Sequence, residues 1–420
     1  MKTRLTSFIM SILCILSCLS LAGCGEKNQA QVYFLNFKPE SAATYEEIAK
    51  KYEEETGVKV EVTTVGGGAD YGAALKAEFA KGADVEPDIF MIQGAGDLGV
   101  WEHKVDDLSN ESWKSKAVNG TLDTVTVDGK VYGMPVATEG YGLIYNKSIL
   151  DDAGIDPSTI DTFSKLKAAF ETLEGKKADL GLDYVVSYTT KETWVTGNHT
   201  FNIPLALQEN PTEYVQSYLA GTADVVNNQA FIDWMNLVEL LCTYGGGAAL
   251  DTIDYSAQVG NFALGKTAFL HQGNWVAGDL KGLEVDFDMG FVPFAVNEDT
   301  TQSGSIPVGV PMYWTVNKDS KVNAEAKAFL DWMITSETGQ KALIEDMNMI
   351  PAFTNFTIES SDVLAQSIME FNNAGKTIPW AFTNLPDGFT MEKVGPIFSK
   401  FAKGEIDKTQ MLQEIENLNK

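Results

Sequence analysis

One short stretch of the sequence has the residue types of a phosphate-binding loop. Residues 260–267 read GNFALGKT and match the pattern G-x-x-x-x-G-K-[ST]. Such a loop needs a strand before it and a helix after it, so that the helix N-terminus faces the phosphates. Here a helical pattern precedes Gly265, which is placed to end that helix, and TAFLHQG afterwards is typical of a strand. Because Phe262 and Leu264 would also obstruct the loop, we expect no nucleotide site and place Lys266 on the surface.

A second set of residues combines polar and aromatic side chains at the ends of predicted strands. In open α/β sheets, ligands bind just beyond the carboxyl ends of the strands. QVYFLNF runs into Lys38 and Glu40, PDIFMI into Gln93, VYGMPVAT into Glu139 and Tyr141, and KTAFLHQG into Asn274 and Trp275. The sequence therefore predicts a ligand site at these strand ends.

The remaining reactive side chains do not form a recognisable centre. His103, His199 and His271 show no metal-ligand spacing, so we interpret them as structural or incidental. Acidic pieces such as DFD are typical of solvated faces rather than calcium loops. We expect neither a metal nor a cofactor.

Composition restricts the class of ligand. The chain of 420 residues carries a formal net charge of −27, and Arg4 is its one arginine. Arginine is the usual two-point partner of phosphates and carboxylates. An acidic domain without it is a poor candidate for nucleic acid or polyphosphate, so we expect a neutral ligand.

The N-terminus has the pattern of a secretory signal that ends in a lipid-attachment site. Lys2 and Arg4 precede an apolar run, and residues 21–24 read LAGC, which resembles the bacterial lipobox. We expect residues 1–23 to be a signal peptide, Cys24 to carry lipid and residues 24–30 to be a short tether. Cys242 is then alone in the folded part, in a helical run where a buried, inert thiol is expected. The remaining length is too great for one compact core, so we expect two lobes.

Alternating strand and helix patterns predict an α/β fold with a parallel sheet. The stretch ATYEEIAKKYEEETG predicts a helix with an apolar face of Tyr45, Ile48, Ala49 and Tyr52, ended by Gly57. Asp128-Gly129 predicts a two-residue hairpin turn. Residues 324–334 predict a helix whose inward face is Ala324, Ala328, Phe329 and Trp332.

Several pieces, in this order along the chain, carry a family resemblance. They are the lipobox, PDIF, YGMPVATEGYGLIYNK, AFLHQGNW, GVPMYWTVNK and FLDWMITSETGQKALIEDMNMIPAF. The chain resembles the extracellular sugar-binding lipoproteins of bacterial ABC importers, the group similar to maltose-binding protein. The resemblance implies the two-lobe periplasmic-binding-protein fold of type II, with a hinge and with the ligand in the cleft between the lobes. Three crossings are then expected near residues 138–142, 292–294 and 346–351. The N-lobe would take residues 31–139 and 294–346, and the C-lobe residues 140–293 and 347–420.

The resemblance also implies roles for individual residues. Sugar rings pack their C–H faces on aromatic rings, and their hydroxyls need directional partners. By position, Trp275 looks like the family's stacking tryptophan and Glu139 like its hydroxyl acceptor. Further ligand-binding candidates are Asn36, Lys38, Glu40, Gln93, Asn274, Tyr141, Tyr313 and Trp380, whereas Trp234 and Trp332 are expected in the core. Gln93 stands where maltose-binding proteins carry an aromatic residue and an acid, a departure from the maltodextrin subtype.

The leading hypothesis is a non-enzymatic receptor on the outer face of the cytoplasmic membrane. It would capture a neutral oligosaccharide, close by hinge motion and dock on the permease subunits of an ABC transporter. We expect a monomer held at the membrane by the lipid on Cys24. The alternative is a secreted glycoside hydrolase, in which two acids such as Glu40 and Glu139 would face a sugar. Capture of a charged solute such as phosphate or a peptide fits poorly with the missing arginine.

Overall fold

The computed structural model describes residues 31–66 and 71–420. The expected signal peptide, the tether and Cys24 lie outside the described residues. In the described part the strands are β1 (Gln31–Asn36), β2 (Lys59–Thr64), β3 (Ile89–Ile92), β4 (Thr126–Val127), β5 (Lys130–Val131), β6 (Met134–Pro135), β7 (Glu139–Asn146), β8 (Val186–Ser187), β9 (Phe269–Gly273), β10 (Met289–Val292), β11 (Ile306–Gly309), β12 (Tyr313–Val316) and β13 (Thr377–Ile378).

The α-helices alternate with the strands. They are α1 (Ala42–Thr56), α2 (Tyr71–Phe79), α3 (Ala95–Trp101), α4 (Lys147–Ala153), α5 (Phe163–Gly175), α6 (Phe201–Ala206), α7 (Pro211–Leu219), α8 (Gln229–Gly245), α9 (Tyr255–Ala263), α10 (Ala277–Gly282), α11 (Thr300–Ser303), α12 (Asn323–Thr335), α13 (Glu337–Lys341), α14 (Val363–Asn373), α15 (Gly395–Ala402) and α16 (Lys408–Glu416). None of the helices in the described residues is long and apolar enough to cross a membrane.

Two sheets organise two lobes. The sheet of the first lobe has the order β2-β1-β3-β12-β6, with β1 parallel to β2 and β3, and with β12 antiparallel to β3. The sheet of the second lobe has the order β13-β11-β7-β9-β8, and β10 pairs with β7. Strands β1, β2 and β3 and their helices α1 and α2 form the expected parallel α/β unit.

The second sheet is covered on both faces, as the alternation of its side chains requires. Leu143 of β7 and Phe269 of β9 lie in one apolar core with α5, α8 and α15. Their neighbours Ile144 and Leu270 face a separate core with α9, α10 and α14. The first lobe has a single core around β1, β3 and α12. The burial of both strand faces explains why these strands are continuous apolar runs in the sequence.

The crossings between the lobes differ in part from those expected. The chain leaves the first core after Ala137 and enters the second sheet at Glu139, close to the expected position. It returns at residues 310–312 rather than 292–294, because β11 pairs with Glu139 and Gly140 of β7 and so belongs to the second sheet. Near the third expected crossing the chain alternates between the lobes, since Ile350 packs in the second lobe, Phe353 packs in the first core and α14 packs in the second lobe. Short apolar strands such as β11 carry no signal for the sheet that they join.

Local predictions were confirmed where one residue type determines the backbone. The buried face of α1 is Tyr45, Ile48, Ala49 and Tyr52, and Gly57 ends the helix at φ 76°. Asp128 and Gly129 both have positive φ, 51° and 77°, in the turn between β4 and β5. Helix α9 does precede Gly265 and β9 does follow it, with Lys266 exposed, so the phosphate-loop order is reversed as expected.

The inward face predicted for α12 was wrong in part. Ala326, Phe329, Leu330, Met333 and Ile334 are buried, whereas Ala324 and Ala328 are exposed. Small alanines do not reveal which side of a helix is covered, because larger apolar residues decide its rotation. Trp332 is half-buried and donates from Nε1 to Glu55, 2.8 Å away, while Trp234 is fully buried as expected.

The predicted environment of Cys242 is confirmed. The thiol is buried in α8, and this burial raises its pKa to about 12. A thiol that stays protonated is unreactive.

Candidate functional site

Three charged side chains from both lobes meet where the chain first crosses. Lys38 follows β1, and its Nζ donates to Oε1 of Glu139, the first residue of β7, at 2.5 Å. The same Nζ lies 2.9 Å from Oε1 of Glu40. Lys38 and Glu139 are buried, whereas Glu40 stays partly exposed. We call Lys38, Glu40 and Glu139 the ion group.

Burial and pairing act in opposite directions on this group. Burial alone would lower the pKa of Lys38, but its attraction to Glu139 and Glu40 outweighs burial and raises that pKa. Burial raises the pKa of Glu139, and the charge of Lys38 opposes this. The ammonium therefore stays charged and holds both acids, which leaves acceptor positions on the carboxylates for a ligand.

Asn36 positions Lys38 from the end of β1. Its Oδ1 accepts from the backbone N–H of Lys38 at 3.0 Å, and its Nδ2 donates to the Lys38 carbonyl oxygen at 3.2 Å and to Thr64 Oγ1 at 3.0 Å. The side chain is fully buried, and both its oxygen and its nitrogen form hydrogen bonds. In this arrangement Asn36 orients the loop that carries Lys38.

Trp275 lies just after β9 and is half-buried. Its Nε1 donates to Gln272 Oε1 at 2.9 Å, and Gln272 Nε2 in turn donates to Gln258 Oε1 at 2.8 Å. Gln258 Nε2 is anchored on the carbonyl oxygens of Ser187 and His271, each at 3.1 Å. This chain of buried amides fixes the orientation of the indole.

Glycine at position 273 lets the indole lie against the strand. A methyl group on Gly273 would overlap the ring of Trp275 and would come within 2.5 Å of the Gly140 carbonyl oxygen. Gly140 also donates its backbone N–H to Asn274 Oδ1 at 3.0 Å, and Asn274 is buried. The end of β9 therefore packs directly beside the ion group, one residue from Glu139.

Tyr141 and Trp380 join Trp275 in one aromatic cluster. Tyr141 is fully buried, stacks on His199 with ring centroids 4.3 Å apart, and lies 5.4 Å from the ring of Trp380. The ring of His199 lies 4.9 Å from that of Trp275. We call Tyr141, His199, Trp275 and Trp380 the aromatic cluster. The structure thus brings together three of the aromatic residues predicted for the site.

A second part of the candidate site lies outside the residues that the sequence analysis selected. Trp194 lies with its ring 6.3 Å from that of Trp275 at an angle of 61°, and both are half-buried. Tyr255, the first residue of α9, donates its hydroxyl to Asp279 Oδ2 at 2.6 Å. Burial raises the pKa of the Tyr255 hydroxyl, Asp279 raises it further, and the Tyr255 ring lies 5.9 Å from that of Trp194.

Glu192 connects Trp194 with Tyr255. Its Oε2 accepts from Trp194 Nε1 at 3.2 Å, and its Oε1 accepts from the backbone N–H of Tyr255 at 3.0 Å. Trp194 and Tyr255 precede or begin helices rather than follow strands, so a search restricted to strand ends passes over them. In the sequence, each of these aromatic residues lies at the start of a helix and follows an acid within two residues, and this pattern could have identified them.

Within residues 31–66 and 71–420, neither Gln93 nor Tyr313 forms a hydrogen bond or ring contact with the ion group or the aromatic cluster. Gln93 follows β3 and is half-buried, and its backbone N–H donates to Asp97 Oδ2 at 2.8 Å. Tyr313 is 2% exposed, and its hydroxyl donates to the Thr121 carbonyl oxygen and accepts from Thr124 Oγ1, each at 2.8 Å. Tyr313 is thus engaged by its own lobe.

The lobes also touch through a glycine-rich surface. Gly72, Gly94 and Gly96 of the first lobe face residues 383–387 of the second. A methyl group on Gly96 would overlap the Leu385 carbonyl oxygen, and one on Gly94 would lie 3.1 Å from Thr383 Cβ. Lys76 pairs with Asp387 at 3.2 Å across the same boundary. We call Gly72, Gly94 and Gly96 the glycine surface.

The chemistry of this arrangement is recognition of polar, uncharged groups beside aromatic faces. Carboxylates, an ammonium and a tyrosine hydroxyl offer acceptors and donors, and half-buried indoles offer flat apolar surfaces. Within residues 31–66 and 71–420, no group of three or more His, Cys, Asp or Glu side chains could hold a metal ion.

Comparisons with known proteins agree with this architecture. A maltooligosaccharide ABC transporter solute-binding lipoprotein of Streptococcus pneumoniae is 26% identical over 314 residues, which cover 74% of this chain and 69% of that protein. A multiple sugar-binding protein of Streptococcus mutans is 24% identical over 404 residues, which cover 92% of this chain and 91% of that protein.

Solved structures share the fold at lower identity. The solute-binding protein RafE of Streptococcus pneumoniae, in complex with raffinose, superposes with a TM-score of 0.78 at 19% identity and covers 93% of this chain and 99% of its own. A chitin oligosaccharide binding protein has the same TM-score and identity and covers 93% of this chain and 98% of its own. These likenesses confirm the expected two-lobe fold.

The family match extends over most of the sequence. Residues 47–367 match the family described as bacterial extracellular solute-binding protein. This range includes elements of both lobes, the carboxylate of Glu139 and the indole of Trp275. The chain therefore belongs to the family of bacterial extracellular solute-binding proteins.

Proposed function

We propose that this protein captures a neutral oligosaccharide outside the cell and delivers it to the permease of an ABC transporter. The observation that carries the proposal is the fixed, half-buried indole of Trp275 beside the buried ion group. An indole face suits the C–H face of a sugar ring, and the carboxylates of Glu139 and Glu40 suit its hydroxyls. Relatives that carry sugar names support the same ligand class.

Closure of the lobes would complete the site. Lys38 and Glu40 come from the first lobe, whereas Glu139 and Trp275 come from the second. A ligand that contacts residues of both lobes can do so only when the lobes are closed. Its binding therefore stabilises the closed form. We propose that this closed form, as a monomer, docks on the permease subunits.

The ion group favours binding over hydrolysis. Both Glu40 and Glu139 contact the same ammonium of Lys38. A glycosidase needs one of its two acids protonated as general acid and the other free to act as nucleophile or base. Here Oε1 of both acids contacts the Lys38 ammonium, so neither acid is free for its separate role, and we propose that the protein has no catalytic activity.

Isothermal titration with a panel of sugars tests the proposal. The panel is melibiose, raffinose, stachyose, a maltooligosaccharide and a chitin oligosaccharide, with Mg-ATP as the control ligand. We expect saturable binding of at least one sugar, no release of reducing sugar and no response to Mg-ATP. Sustained release of reducing sugar would instead establish the hydrolase.

The membrane anchor is a separate proposal that rests on the sequence LAGC at residues 21–24. We propose that lipid on Cys24 holds the protein on the outer face of the cytoplasmic membrane. The chain is acidic, so anionic lipid headgroups repel it rather than attract it. We propose that the lipid attached to Cys24 supplies the attachment instead. Labelling of cells with a radioactive fatty acid tests this, since wild type should incorporate the label and Cys24→Ser should not.

A further inference from the structure

Two buried polar atoms in the aromatic cluster have no hydrogen-bond partner among the described residues. They are Nε1 of Trp380 and Nδ1 of His199. Trp380 is 8% exposed and His199 is 6% exposed. A buried polar atom without a partner costs free energy, and native structures rarely retain one without a reason.

Other tryptophans of the chain show what a satisfied indole looks like. Nε1 of Trp275 donates to Gln272, that of Trp194 donates to Glu192, and that of Trp234 donates to the Thr200 carbonyl oxygen at 2.8 Å. Trp314 also lacks a partner, but it is fully buried in the core of the first lobe. Trp380 differs because it lies beside the site.

Trp380 is a member of the aromatic cluster and also lies close to the ion group. Its ring packs over Gly309, where an added methyl group would lie 2.6 Å from Cγ. Gly309 is the strand partner of Glu139, a member of the ion group. Three residues further on, Thr383 lies against Gly94 of the first lobe. The indole thus lies at the boundary of the lobes, next to the ion group.

His199 approaches the same region from a different part of the chain. It lies in a π-helical segment, Val195–Thr200, and its ring touches those of Tyr141, Trp275 and Trp380, with the Trp380 centroid 6.0 Å away. Burial lowers the pKa of His199 well below its usual value, and nearby His271 lowers it further. The imidazole is therefore neutral and offers one donor and one acceptor, assigned by its tautomer.

We propose that His199 and Trp380 form a hydroxyl-recognition pair that contacts the captured sugar through the two unpartnered nitrogens. This assignment rests on the proposed function and deepens it. Trp380 donates and neutral His199 accepts, which together complement the hydroxyl groups of a polyol. An anionic ligand finds no positive charge in this pair, so the pair selects for neutral hydroxyl groups. Trp380 thus contributes a polar contact in addition to the aromatic face expected from the sequence.

The test compares sugar affinities of Trp380→Phe and His199→Phe with that of wild type. The probe is the panel sugar that wild type binds most tightly, measured by isothermal titration. Phenylalanine keeps an aromatic ring and removes the nitrogen, so the packing with Tyr141 is largely kept. Each variant should bind roughly tenfold more weakly, the loss that corresponds to about one hydrogen bond. Trp332→Phe is the matched control, because it removes an indole N–H bound to Glu55 in the first lobe.

A spectroscopic measurement on wild type separates ligand contact from a structural role. The indole N–H signal of Trp380 in a ¹H–¹⁵N spectrum is identified by its loss in Trp380→Phe. It should move on addition of the sugar, whereas the signal of Trp332 should stay in place. Monodeoxy forms of the same sugar each lack one hydroxyl group. Wild type should bind one of these forms more weakly, and the variants should bind that form with the same affinity as wild type does.

The outcomes distinguish the two proposals. Sugar binding by wild type with unchanged affinity in both variants, or with an unmoved Trp380 signal, overturns the hydroxyl-recognition pair and leaves the proposed function intact. A lack of binding by wild type to every sugar overturns the proposed function and the pair together. Circular dichroism and thermal unfolding confirm that each variant is folded, and the wild-type spectrum decides the matter if one is not.

Discussion

Lys38 Nζ lies 2.5 Å from Glu139 Oε1, and this contact joins the end of the first strand to the start of the first strand in the other lobe. Both side chains are buried, so each charge depends on the other for compensation. The pair lies at the crossing between the lobes and connects a side chain of one lobe directly to a side chain of the other.

Loss of Lys38 should therefore destabilise the protein. Lys38→Met leaves Glu139 buried without a partner, and we expect a loss of about 3 kcal/mol in the free energy of unfolding at pH 7. Urea denaturation followed by circular dichroism measures it. Lys321→Met is the control, because Lys321 pairs with Asp84 on the exposed surface, and it should unfold like wild type. Equal stability of both variants would show that Glu139 finds another partner.

Trp275→Ala should weaken sugar binding with the fold intact. The substitution removes a fixed apolar face, and we expect a loss of roughly 1–3 kcal/mol in binding free energy, the scale of burying an aromatic side chain. Isothermal titration measures the affinity. Trp332→Ala removes an indole of similar exposure in the first lobe and should bind sugar as wild type does. An unchanged affinity in Trp275→Ala would mean that the indole is not a platform.

Glu192 should matter for binding although its carboxylate is already used by the protein. Glu192→Ala releases both the indole N–H of Trp194 and the backbone N–H of Tyr255. We expect sugar affinity to fall by about 1 kcal/mol, because two groups near Trp275 lose their fixed orientation. Glu209→Ala on the exposed surface is the control. If both variants bind equally well, Trp194 and Tyr255 lie outside the ligand's reach.

Asp97 should make stability depend on pH in a defined direction. Burial raises its pKa from 3.8 to about 7, the Gln93 N–H opposes this shift, and Asp387 adds to it. As pH falls from 8 to 5, the folded protein takes up a proton at Asp97 while the unfolded chain stays ionised there. The native state therefore gains stability from this group on acidification, and this contribution is lost as the pH rises from 3.8 to about 7.

Asp97→Asn isolates that contribution. The amide keeps an acceptor for the Gln93 N–H but cannot ionise. We expect the variant to melt at a higher temperature than wild type at pH 8, with the difference shrinking towards pH 5. Thermal unfolding at both values measures it. A difference that stays constant with pH would show that Asp97 does not titrate in this range.

Much of the framework was predictable because single residues determine it. Gly57 and Gly265 end their helices through backbone conformations that favour glycine, and the apolar runs of β1 and β3 are strands buried in a sheet. Lys38, Glu139 and Trp275 were selected as candidates because ligands of α/β sheets bind at strand ends. These sequence patterns are local, so they can be read without knowing which distant segments the residues contact.

The rest depended on contacts between distant segments. Membership of β11 in the second sheet is decided by its pairing with β7, which is far away in sequence. Trp194 and Tyr255 join the site because Glu192 connects them. His199 was interpreted as structural or incidental, and its packing on Tyr141 and Trp275, which no local pattern reveals, brings it into the aromatic cluster.

The glycine surface has a consequence for the time that a ligand stays bound. Gly96 allows the backbone of Leu385 and Pro386 to approach more closely than a side chain would permit, and Gly72 and Gly94 face the side chains of Asp387 and Thr383. Opening of the lobes must separate these backbones before a ligand between the lobes can leave. The dissociation rate should therefore depend partly on this contact between the lobes, and a transporter that separates the two surfaces would release the ligand without competing for it.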